Sequence, residues 1–510
     1  MPDWNRAATE ADTIAGTWSQ ASGPGGAIVI FDSAGIRHAV SGGFASIEHR
    51  IPFTAETPSR YASISKHFLA ATALLEDLPL EAPLGVLLEG LPAALGEVPL
   101  GRALDMTAAL PDMMEVLWQQ GVPYTASMGA AEILGVARRL PGLNAVPGTE
   151  MAYSNTGWRL AQSVFPAQRG VTYAEALRRR LLAPLGLNIA FPEDESEPVP
   201  GLATGYWWDG GAWRRGRYGM HFSASGGLAG SAAALARWTV ALMTEQGPLE
   251  GMLGRIAAPR LFADGSESVY RLGLVRSMLG GEEVLGHGGS LPGYRNHVLM
   301  VPERGLGVVV LTNREEDALW PALTVLAALL EQPLPPPVRD FPSGLFATAE
   351  GPFWAETTRD SISFMGGYER LVSGADGGAR SLPAYLDIRL RVEGQDVLSG
   401  SVGGASRRFH RVPADQPLDA AMVGEWREQH YDLGLTIRAD GTARLPWAGG
   451  TGAETKLTPL PGGRALADLS HGPWRHRPCL WLQPDGSLRL ASHRARVLHF
   501  TRSIHSGDRP

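Results

Sequence analysis

The chain has 510 residues, a formal net charge of −7 and a sequence pI of about 6.0. Its length corresponds to roughly two to four domains, and its apolar fraction of 44% is enough to build a substantial core. The acidic balance argues against nucleic acid as a partner.

Cys479 is the only cysteine, so an intramolecular disulfide is excluded, which fits a reducing compartment. Residues 1–6 do not resemble the basic start of a signal peptide, and apolar runs such as 308–311 and 323–330 are too short to span a bilayer. We therefore expect a cytoplasmic protein that does not act at a membrane.

The N-terminal part of the chain predicts a hairpin followed by a buried helix. Residues 25–31 are apolar and end at a turn, 32–35, after which residues 37–44 return as the partner strand. The apolar run 68–75 then predicts a buried helix, with Ser63-Ile64-Ser65-Lys66 at its start.

The middle of the chain alternates between helical and strand patterns. We predict helices and loops over 78–100, a helix starting at 130, and helices at 160–164, 174–182, 232–243 and 321–331. The strand candidates are 270–275, 283–285, 296–301 and 305–312.

Beyond a proline-rich linker at 332–337, helical patterns nearly vanish. Strand patterns occur at 386–392, 433–437, 480–482 and 488–490, with a second linker at 413–417. The two segments begin alike, at residues 344–346 and 424–426, which suggests an internal duplication. We predict an α/β (α+β) domain over 1–331 followed by two antiparallel β-barrel domains, over 338–413 and 418–510.

Ser63 and Lys66 have the spacing of a nucleophile and its base. Residues three apart lie on one face of a helical turn, and a serine hydroxyl becomes a good nucleophile only when a nearby base takes its proton. Of the 45 basic side chains only Lys66 and Lys456 are lysines, and arginine cannot deprotonate in a protein. The alternative is a chance pattern, since Ser-x-x-Lys is short.

Two further motifs carry candidate catalytic groups. Tyr153 and Asn155 follow Pro147 and Gly148; a tyrosine near a lysine can have a lowered pKa and pass protons, and Asn155 can bond to Lys66 and to a substrate amide. His287, Gly288 and Gly289 end a predicted strand, where glycine lets the backbone approach a ligand and His287 can bond to Tyr153 or to a substrate carbonyl. Taken singly, each motif also fits a surface loop or a structural histidine.

Together, Ser63-x-x-Lys66, Tyr153-x-Asn155 and His287-x-Gly289 resemble the serine β-lactamase and penicillin-binding superfamily, in its class C-like branch. With two β-barrel domains behind it, the chain is similar to the D-stereospecific aminopeptidases of peptidase family S12. That resemblance implies a homodimer. The sequence has no His-Glu-x-x-His pattern and no cysteine cluster, so we expect no metal and no cofactor. The resemblance also implies release of N-terminal D-residues such as D-alanine from peptides, amides or esters with a free amine, through an acyl-enzyme.

The resemblance further implies a loop of the last domain that enters the active site. The candidate loop is 464–474, and its only acid, Asp468, is the expected partner of a substrate ammonium; its alternative is a plain turn residue. The chain departs from the family pattern at residues 105–109, where asparagine and serine are usual, and near 217–221, where a family arginine has no clear match.

Other activities of the same scaffold remain alternatives: an esterase, an amidase, or a D,D-carboxypeptidase. A carboxypeptidase would favour a cation in the third motif, and His287 suits that role less well than lysine. A binding protein without catalysis is the alternative from another class.

Overall fold

The computed structural model describes residues 1–382, 385–446 and 452–503. Regular α-helices lie in the first two thirds of this described part. They are α1 Trp4–Gln20, α2 Ser65–Leu75, α3 Leu84–Leu87, α4 Ala93–Gly96, α5 Leu100–Leu104, α6 Met113–Gln119, α7 Ala130–Arg138, α8 Thr156–Arg169, α9 Tyr173–Leu177, α10 Ala232–Met243, α11 Met252–Ile256 and α12 Leu319–Leu329.

Six of the fifteen strands described in the same region form one large sheet. The fifteen strands are β1 Gly26–Asp32, β2 Gly35–Gly42, β3 Phe44–Ser46, β4 Ile51–Pro52, β5 Ser59–Arg60, β6 Ile189–Ala190, β7 Tyr206–Trp208, β8 Trp213–Arg215, β9 Ala229–Gly230, β10 Arg260–Leu261, β11 Glu267–Ser268, β12 Val275–Leu279, β13 Glu282–Leu291, β14 Tyr294–Val301 and β15 Leu306–Thr312. The sheet is antiparallel, with the order β12-β13-β14-β15-β1-β2.

Strand β1 shows why this sheet lies between two layers of helices. Successive side chains of a strand point to opposite faces. Val29 and Phe31 pack into the core that contains α2, α8 and α10, whereas Ile28 and Ile30 pack into the core formed with α1 and α12. Both faces of β1 are therefore buried, and the apolar run predicted as a strand is confirmed.

The segment after α12 forms a closed eight-stranded barrel. Its strands are β16 Gly344–Thr348, β17 Trp354–Thr357, β18 Ser361–Phe364, β19 Gly367–Ser373, β20 Ala379–Ser381, β21 Ile388–Val392, β22 Val397–Val402 and β23 Ala405–Arg411. Neighbouring strands pair antiparallel, and β16 closes the barrel on β23 through the pair Phe346 and Arg411.

The last segment forms a nine-stranded antiparallel sheet, which we call the C-terminal sheet. The strands of this segment are β24 Gly424–Glu428, β25 Leu433–Ile437, β26 Thr442–Leu445, β27 Ala453–Lys456, β28 Thr458–Leu460, β29 Arg464–Leu466, β30 Leu469–His471, β31 Trp474–His476, β32 Cys479–Leu482, β33 Leu488–Ala491 and β34 Leu498–Arg502. The order is β27-β26-β25-β24-β34-β33-β32-β29-β28, and β30 and β31 form a separate hairpin.

The predicted fold class, a β-lactamase-like domain followed by antiparallel barrels, is confirmed. The barrel strands and the C-terminal sheet fall inside the predicted ranges 338–413 and 418–510, while the domain bounds themselves stay predictions. No helix in the described residues is long and apolar enough to cross a bilayer.

The two tail segments begin with the same local structure, as the resemblance between residues 344–346 and 424–426 suggested. Gly344 and Gly424 have φ values of 146° and 143°. Each segment has an aromatic residue two positions after the glycine, and an arginine of the last strand stacks on its ring. The distance from the arginine Cζ to the ring centroid is 4.7 Å for Arg411 and Phe346 and 4.8 Å for Arg502 and Trp426. The same arginine donates to the carbonyl oxygen just before the glycine.

One predicted strand is wrong. Residues 270–274 precede β12 rather than form a strand, because Arg271 donates its backbone N–H to Leu274 O across a tight turn. Gly273 occupies that turn with a φ of 78°. The apolar residues Tyr270, Leu272 and Leu274 are buried, which gave this turn the alternating pattern of a strand.

Candidate active site

The three motifs meet at a cavity of about 660 Å³ between the three parts of the chain. Ser63, Tyr153, Asn155, His287, Gly288 and Gly289 all line this cavity. Lys66 is fully buried beneath Ser63. The eight-stranded barrel contributes residues 365–366, 368–370 and Tyr385, and the C-terminal segment contributes 473–478 and 492–494. The cavity is therefore closed by residues from both tail segments.

Ser63 lies on a single 3-10 turn, Ala62–Ile64, directly before α2. Ala62 has a φ of 50°, a left-handed conformation that is strained for a residue with a Cβ. The strand β13 packs against this turn: a Cβ on Gly289 would lie 2.1 Å from the carbonyl oxygen of Tyr61. Glycine is thus required where β13 passes the turn that carries Ser63.

Lys66 is held by three oxygen atoms. Its Nζ lies 3.0 Å from Ser63 Oγ, 2.9 Å from Asn155 Oδ1 and 2.7 Å from the carbonyl oxygen of Ser225. Burial lowers the pKa of Lys66 well below its ordinary value, and the charge of Arg494 lowers it further. A neutral amine has two N–H groups, which Asn155 and Ser225 accept, so its lone pair faces the Ser63 hydroxyl.

Tyr153 sits over Lys66, whose Nζ is 5.0 Å from the ring centroid. Burial raises the pKa of Tyr153, against the opposing effect of its hydrogen bond with Ser63. The sequence-based expectation of a lowered pKa is therefore wrong, because burial outweighs both the hydrogen bond with Ser63 and the positive charge of Arg494. Tyr153 is thus a neutral phenol, a group that can either donate or accept a hydrogen bond.

His287 is fixed as a neutral ring. Its Nε2 lies 2.9 Å from the Tyr270 hydroxyl, and its Nδ1 lies 2.6 Å from the carbonyl oxygen of Gly288. A carbonyl only accepts, so Nδ1 carries the proton and Nε2 accepts from Tyr270. Burial and the charge of Lys66 lower the pKa of His287 well below its usual range. Its hydrogen bonds thus go to Tyr270 and Gly288, rather than to Tyr153 as expected.

Strand β13 also presents a free edge to the cavity. Strand β12 begins at Val275, which pairs with Gly286, so β12 covers β13 only as far as Gly286. Strand β13 itself continues to Leu291. The sequence suggested a strand that ends at His287-Gly288-Gly289, whereas β13 runs two residues beyond Gly289. Past Gly286 its described partner in the sheet is β14 alone, which leaves backbone N–H groups of this stretch available to an oxyanion.

Asp468 does not line the cavity. Its carboxylate pairs with Arg475, whose Nε donates at 2.8 Å, and its backbone N–H bonds to Thr455. The structure therefore contradicts the predicted role of Asp468 as a cavity acid. Of the predicted loop 464–474, Pro473 and Trp474 line the cavity. The hairpin β30–β31 that follows Asp468 carries Trp474, Arg475 and His476 into the cavity wall.

The two stretches that depart from the family pattern, 105–109 and 217–221, differ in their relation to the cavity. Asp105 is buried, accepts from Arg260 Nε at 2.8 Å and accepts from Thr107, and Met106 bonds to the backbone N–H groups of residues 152 and 154. Neither residues 105–109 nor Arg217 lines the cavity, whereas Tyr218 does.

Sequence reasoning missed two charged groups of the site, Glu115 and Arg494. Glu115 lies on α6, is 4% exposed and accepts a hydrogen bond from Ser492 Oγ. Burial raises its pKa to about 7. Arg494 comes from the loop between β33 and β34 and pairs with Asp112, the N-cap of α6, at 2.5 Å. The only sequence signal was the polar run 492–496 inside an otherwise alternating strand pattern.

The helix-flanked antiparallel sheet, with Ser-x-x-Lys, Tyr-x-Asn and His-x-Gly motifs at one cavity, defines the class of serine β-lactamase and penicillin-binding folds. The family model described as Beta-lactamase matches residues 11–332, and the chain belongs to this family.

Several relatives are named D-aminopeptidase. The one from Gluconobacter oxydans is 29% identical over 336 residues, which cover 62% of this chain and 60% of that protein. The chain thus matches about three fifths of the length of this relative. One from Cereibacter sphaeroides is 26% identical over 459 residues, 86% of each chain.

Solved structures share the fold. The octameric penicillin-binding protein homologue from Pyrococcus abyssi aligns with a TM-score of 0.57 and 18% identity over 97% of this chain and 99% of its own. The D-amino acid amidase from Ochrobactrum anthropi SV3 aligns with a TM-score of 0.52 and 23% identity, covering 64% of this chain and 98% of its own.

Proposed function

We propose that this chain is a serine hydrolase that releases N-terminal D-amino acids from peptides, amides or esters through an acyl-enzyme. The observation that carries the proposal is the bonding of Lys66. Asn155 Oδ1 and Ser225 O take its two N–H groups and direct its lone pair to Ser63 Oγ, 3.0 Å away. This is the geometry of a general base beside its nucleophile.

In acylation, Ser63 Oγ attacks the carbonyl carbon of the N-terminal residue while its proton passes to Lys66. The backbone N–H of Ser63 and an N–H of the free edge of β13 stabilise the oxyanion. The carbon–nitrogen bond then breaks. The leaving amine receives a proton from the Tyr153 hydroxyl, which is replenished from Lys66, so the proton count balances without a free phenolate.

In deacylation the same groups work in reverse order. A water molecule loses a proton to Lys66, through Tyr153, as it attacks the ester carbonyl. The ester bond breaks, Ser63 Oγ regains its proton, and the amino acid is released. Gly288 and Gly289 allow the substrate backbone to lie against β13, since neither residue carries a Cβ.

Recognition of a free N-terminal amine requires an anion, and we assign this role to Glu115 in place of Asp468. Glu115 lines the cavity and lies in the first turn of α6, whose N-cap, Asp112, accepts the backbone N–H of Asn155 at 2.7 Å. The rings of Trp118 and Trp474, 5.5 Å apart, line the cavity nearby and suit a cation. A bound ammonium would favour the ionised form of Glu115.

The D configuration of the substrate is supported by the relatives named D-aminopeptidase rather than by a contact in the cavity. The test is hydrolysis of D-alanine p-nitroanilide, its L-isomer and its N-acetyl form, with Ser63→Ala as the inactive control. The proposal expects cleavage of the free D-substrate alone. In Glu115→Gln, KM for the free D-substrate should rise about tenfold or more.

Other outcomes of the same panel identify the alternatives. Equal cleavage of the acetylated substrate would contradict the ammonium role and favour an esterase or amidase. Cleavage of a C-terminal D-alanine only would favour a D,D-carboxypeptidase, which the engagement of Arg494 by Asp112 argues against. Stoichiometric labelling of Ser63 without turnover would favour a binding protein.

The resemblance to family S12 also leads us to propose a cytoplasmic homodimer. Sedimentation velocity tests the second part, since a monomer of 54.4 kDa and a dimer sediment differently. Fractionation of the cells that express the protein tests the first part.

A further inference from the structure

The loop between β33 and β34 places one arginine of the C-terminal sheet against the catalytic groups. Arg494 donates from Nη2 to Asp112 Oδ2 at 2.5 Å and from Nε to the carbonyl oxygen of Tyr153 at 3.3 Å. Its guanidinium also lies 5.2 Å from the centroid of the Tyr153 ring. The side chain is 17% exposed and that of its partner Asp112 is fully buried.

Asp112 passes this contact on to the base. Its Oδ2 accepts the backbone N–H of Asn155 at 2.7 Å, and the side-chain oxygen of Asn155 accepts from Lys66 Nζ at 2.9 Å. A continuous series of hydrogen bonds thus runs from Arg494 through Asp112 and Asn155 to Lys66 and Ser63. None of these links depends on an exposed side chain.

The backbone of the loop is fixed as well. The carbonyl oxygen of Arg494 accepts the N–H of Asp112 at 2.8 Å and the side-chain amide of Asn144 at 3.0 Å. Two residues on, the N–H of Arg496 donates to Asn144 Oδ1 at 2.8 Å. These backbone hydrogen bonds therefore fix the position of Arg494 relative to the candidate active site.

We propose that Arg494 is a positioning residue by which the C-terminal sheet sets the strength of the catalytic base. Its pair with Asp112 holds Asn155 against Lys66 and balances the charge beneath the nucleophile. The proposal rests on the proposed function only in that Lys66 acts as the base of Ser63. It does not depend on which substrate is cleaved.

The direction of the effect follows from the charges. Arg494 lowers the pKa of Lys66, and Asp112 raises it. Removal of the Arg494 charge leaves Asp112 unbalanced, so the protonated lysine is favoured. Removal of the Asp112 charge has the opposite effect.

Several other ionisable groups line the same cavity or adjoin the groups that do. They are Glu115 of α6, Tyr153, Tyr218, Tyr270, His67 and His287 of the rest of the β-lactamase-like region, Glu369 and Tyr385 of the eight-stranded barrel, and His476, His493 and Arg496 of the C-terminal segment. Burial lowers the pKa of the histidines and raises that of the phenols. Glu115, with a pKa of about 7, can titrate near neutrality, so the test is repeated in Glu115→Gln.

The experiment measures the rate of Ser63 labelling by a fluorescent fluorophosphonate as a function of pH. The labelling rate falls at low pH as Lys66 becomes protonated, and we call this part of the profile the acid limb. In Arg494→Gln the acid limb should move to higher pH by about one unit, so that the rate at a given pH on this limb falls about tenfold. In Asp112→Asn it should move to lower pH. Arg494→Lys should restore the wild-type limb, and the double variant Arg494→Gln with Asp112→Asn should lie close to it.

Arg496→Gln is the matched control, because Arg496 lies in the same loop but pairs with Glu150. Shifts of opposite sign in the two single variants cannot arise from general unfolding. An unchanged limb in Arg494→Gln, or an equal shift in Arg496→Gln, would overturn the proposal. If the wild type is labelled but cleaves no D-amino acid substrate, the proposed function fails while the shifts still decide the role of Arg494. A wild type that is never labelled overturns both.

Discussion

At Lys66 an arginine cannot replace the lysine, although nearly all the basic side chains of this chain are arginines. The base must give up a proton near neutral pH, which arginine does not do in a protein. The three oxygen atoms around Nζ also fit a compact amine better than a planar guanidinium.

We expect Lys66→Arg to slow acylation of Ser63 by about 10² to 10⁴-fold, because general-base catalysis is lost. Labelling by a fluorophosphonate at pH 7.5 measures this rate. Lys456→Arg is the control, since Lys456 is the other lysine and is exposed on β27. A Lys66→Arg variant that is labelled as fast as Lys456→Arg would contradict the role of Lys66.

Glu115 is expected to reduce stability as the pH rises. Its pKa of about 7 in the folded chain is above its ordinary value of 4.5, so folding favours the protonated form, and this stabilisation is lost as the pH rises through 7. Glu115→Gln should therefore be more stable than the wild type at pH 8, by on the order of 3 kcal/mol, and by less than about 1 kcal/mol at pH 5. Urea unfolding at both pH values tests this, and the same difference at both would contradict it.

The residues that the sequence identified are those joined by short motifs. Ser63, Lys66, Tyr153 and Asn155 were found because their chemistry is visible within two or three positions. The prediction that Asp468 binds the substrate ammonium was wrong. The sequence does not show that the partner of this acid is Arg475. The pair of Arg494 with Asp112 joins residues 382 positions apart, and no local pattern reports it.

At the scale of elements, strand β13 passes very close to the turn that carries Ser63. The Cβ of an alanine at Gly289 would meet the carbonyl oxygen of Tyr61 at 2.1 Å, so the strand or the turn must shift. A strand displaced from Ser63 also displaces the backbone donors of its free edge.

We expect Gly289→Ala to lower the acylation rate by about 10²-fold while the fold is retained, since a shift of about 1 Å in catalytic geometry has an effect of this size. The rate and the circular dichroism spectrum are the measurements. Gly16→Ala is the control: in α1 the added Cβ meets nothing within 4 Å, and we expect full activity with a higher Tm. Wild-type activity in Gly289→Ala would show that the strand can move freely.

Strands were predicted well where both faces are buried, as in β1, β14 and β15. The sequence was less informative where a turn is buried. Residues 270–274 have the alternating apolar pattern of a strand, but they form a turn that packs against α2. A Cβ on Gly273 would clash with the backbone of Lys66 and His67. Helices α1 and α6 were not predicted, although α6 carries the candidate ammonium partner.

At the scale of the whole molecule, Glu150 joins all three parts of the chain. It lies three residues before Tyr153, is 5% exposed, and pairs with Arg407 of the eight-stranded barrel at 2.6 Å and with Arg496 of the C-terminal segment. Both arginine side chains are about 10% exposed or less. The second motif is therefore anchored by both tail segments.

We expect Glu150→Gln to destabilise the protein by about 3 kcal/mol, because it leaves two buried cations without a counter-charge. Urea unfolding measures the loss. Glu454→Gln is the control, since Glu454 forms an exposed pair with Arg438 at 2.9 Å and its replacement should change stability by less than about 1 kcal/mol. Equal effects of the two substitutions would contradict the anchoring role of Glu150.

The assembly of one cavity from distant segments has a consequence for how such a protein evolves. The candidate reacting groups come from the first third of the chain and from β13, whereas part of the cavity wall comes from residues 473–478 and 492–494. Recombination that exchanges the tail can thus alter selectivity and leave the reaction intact, but only if Asp112 is inherited together with Arg494. We expect these two positions to vary in concert among related sequences, because the arginine of the tail and its carboxylate partner in the β-lactamase-like domain must match.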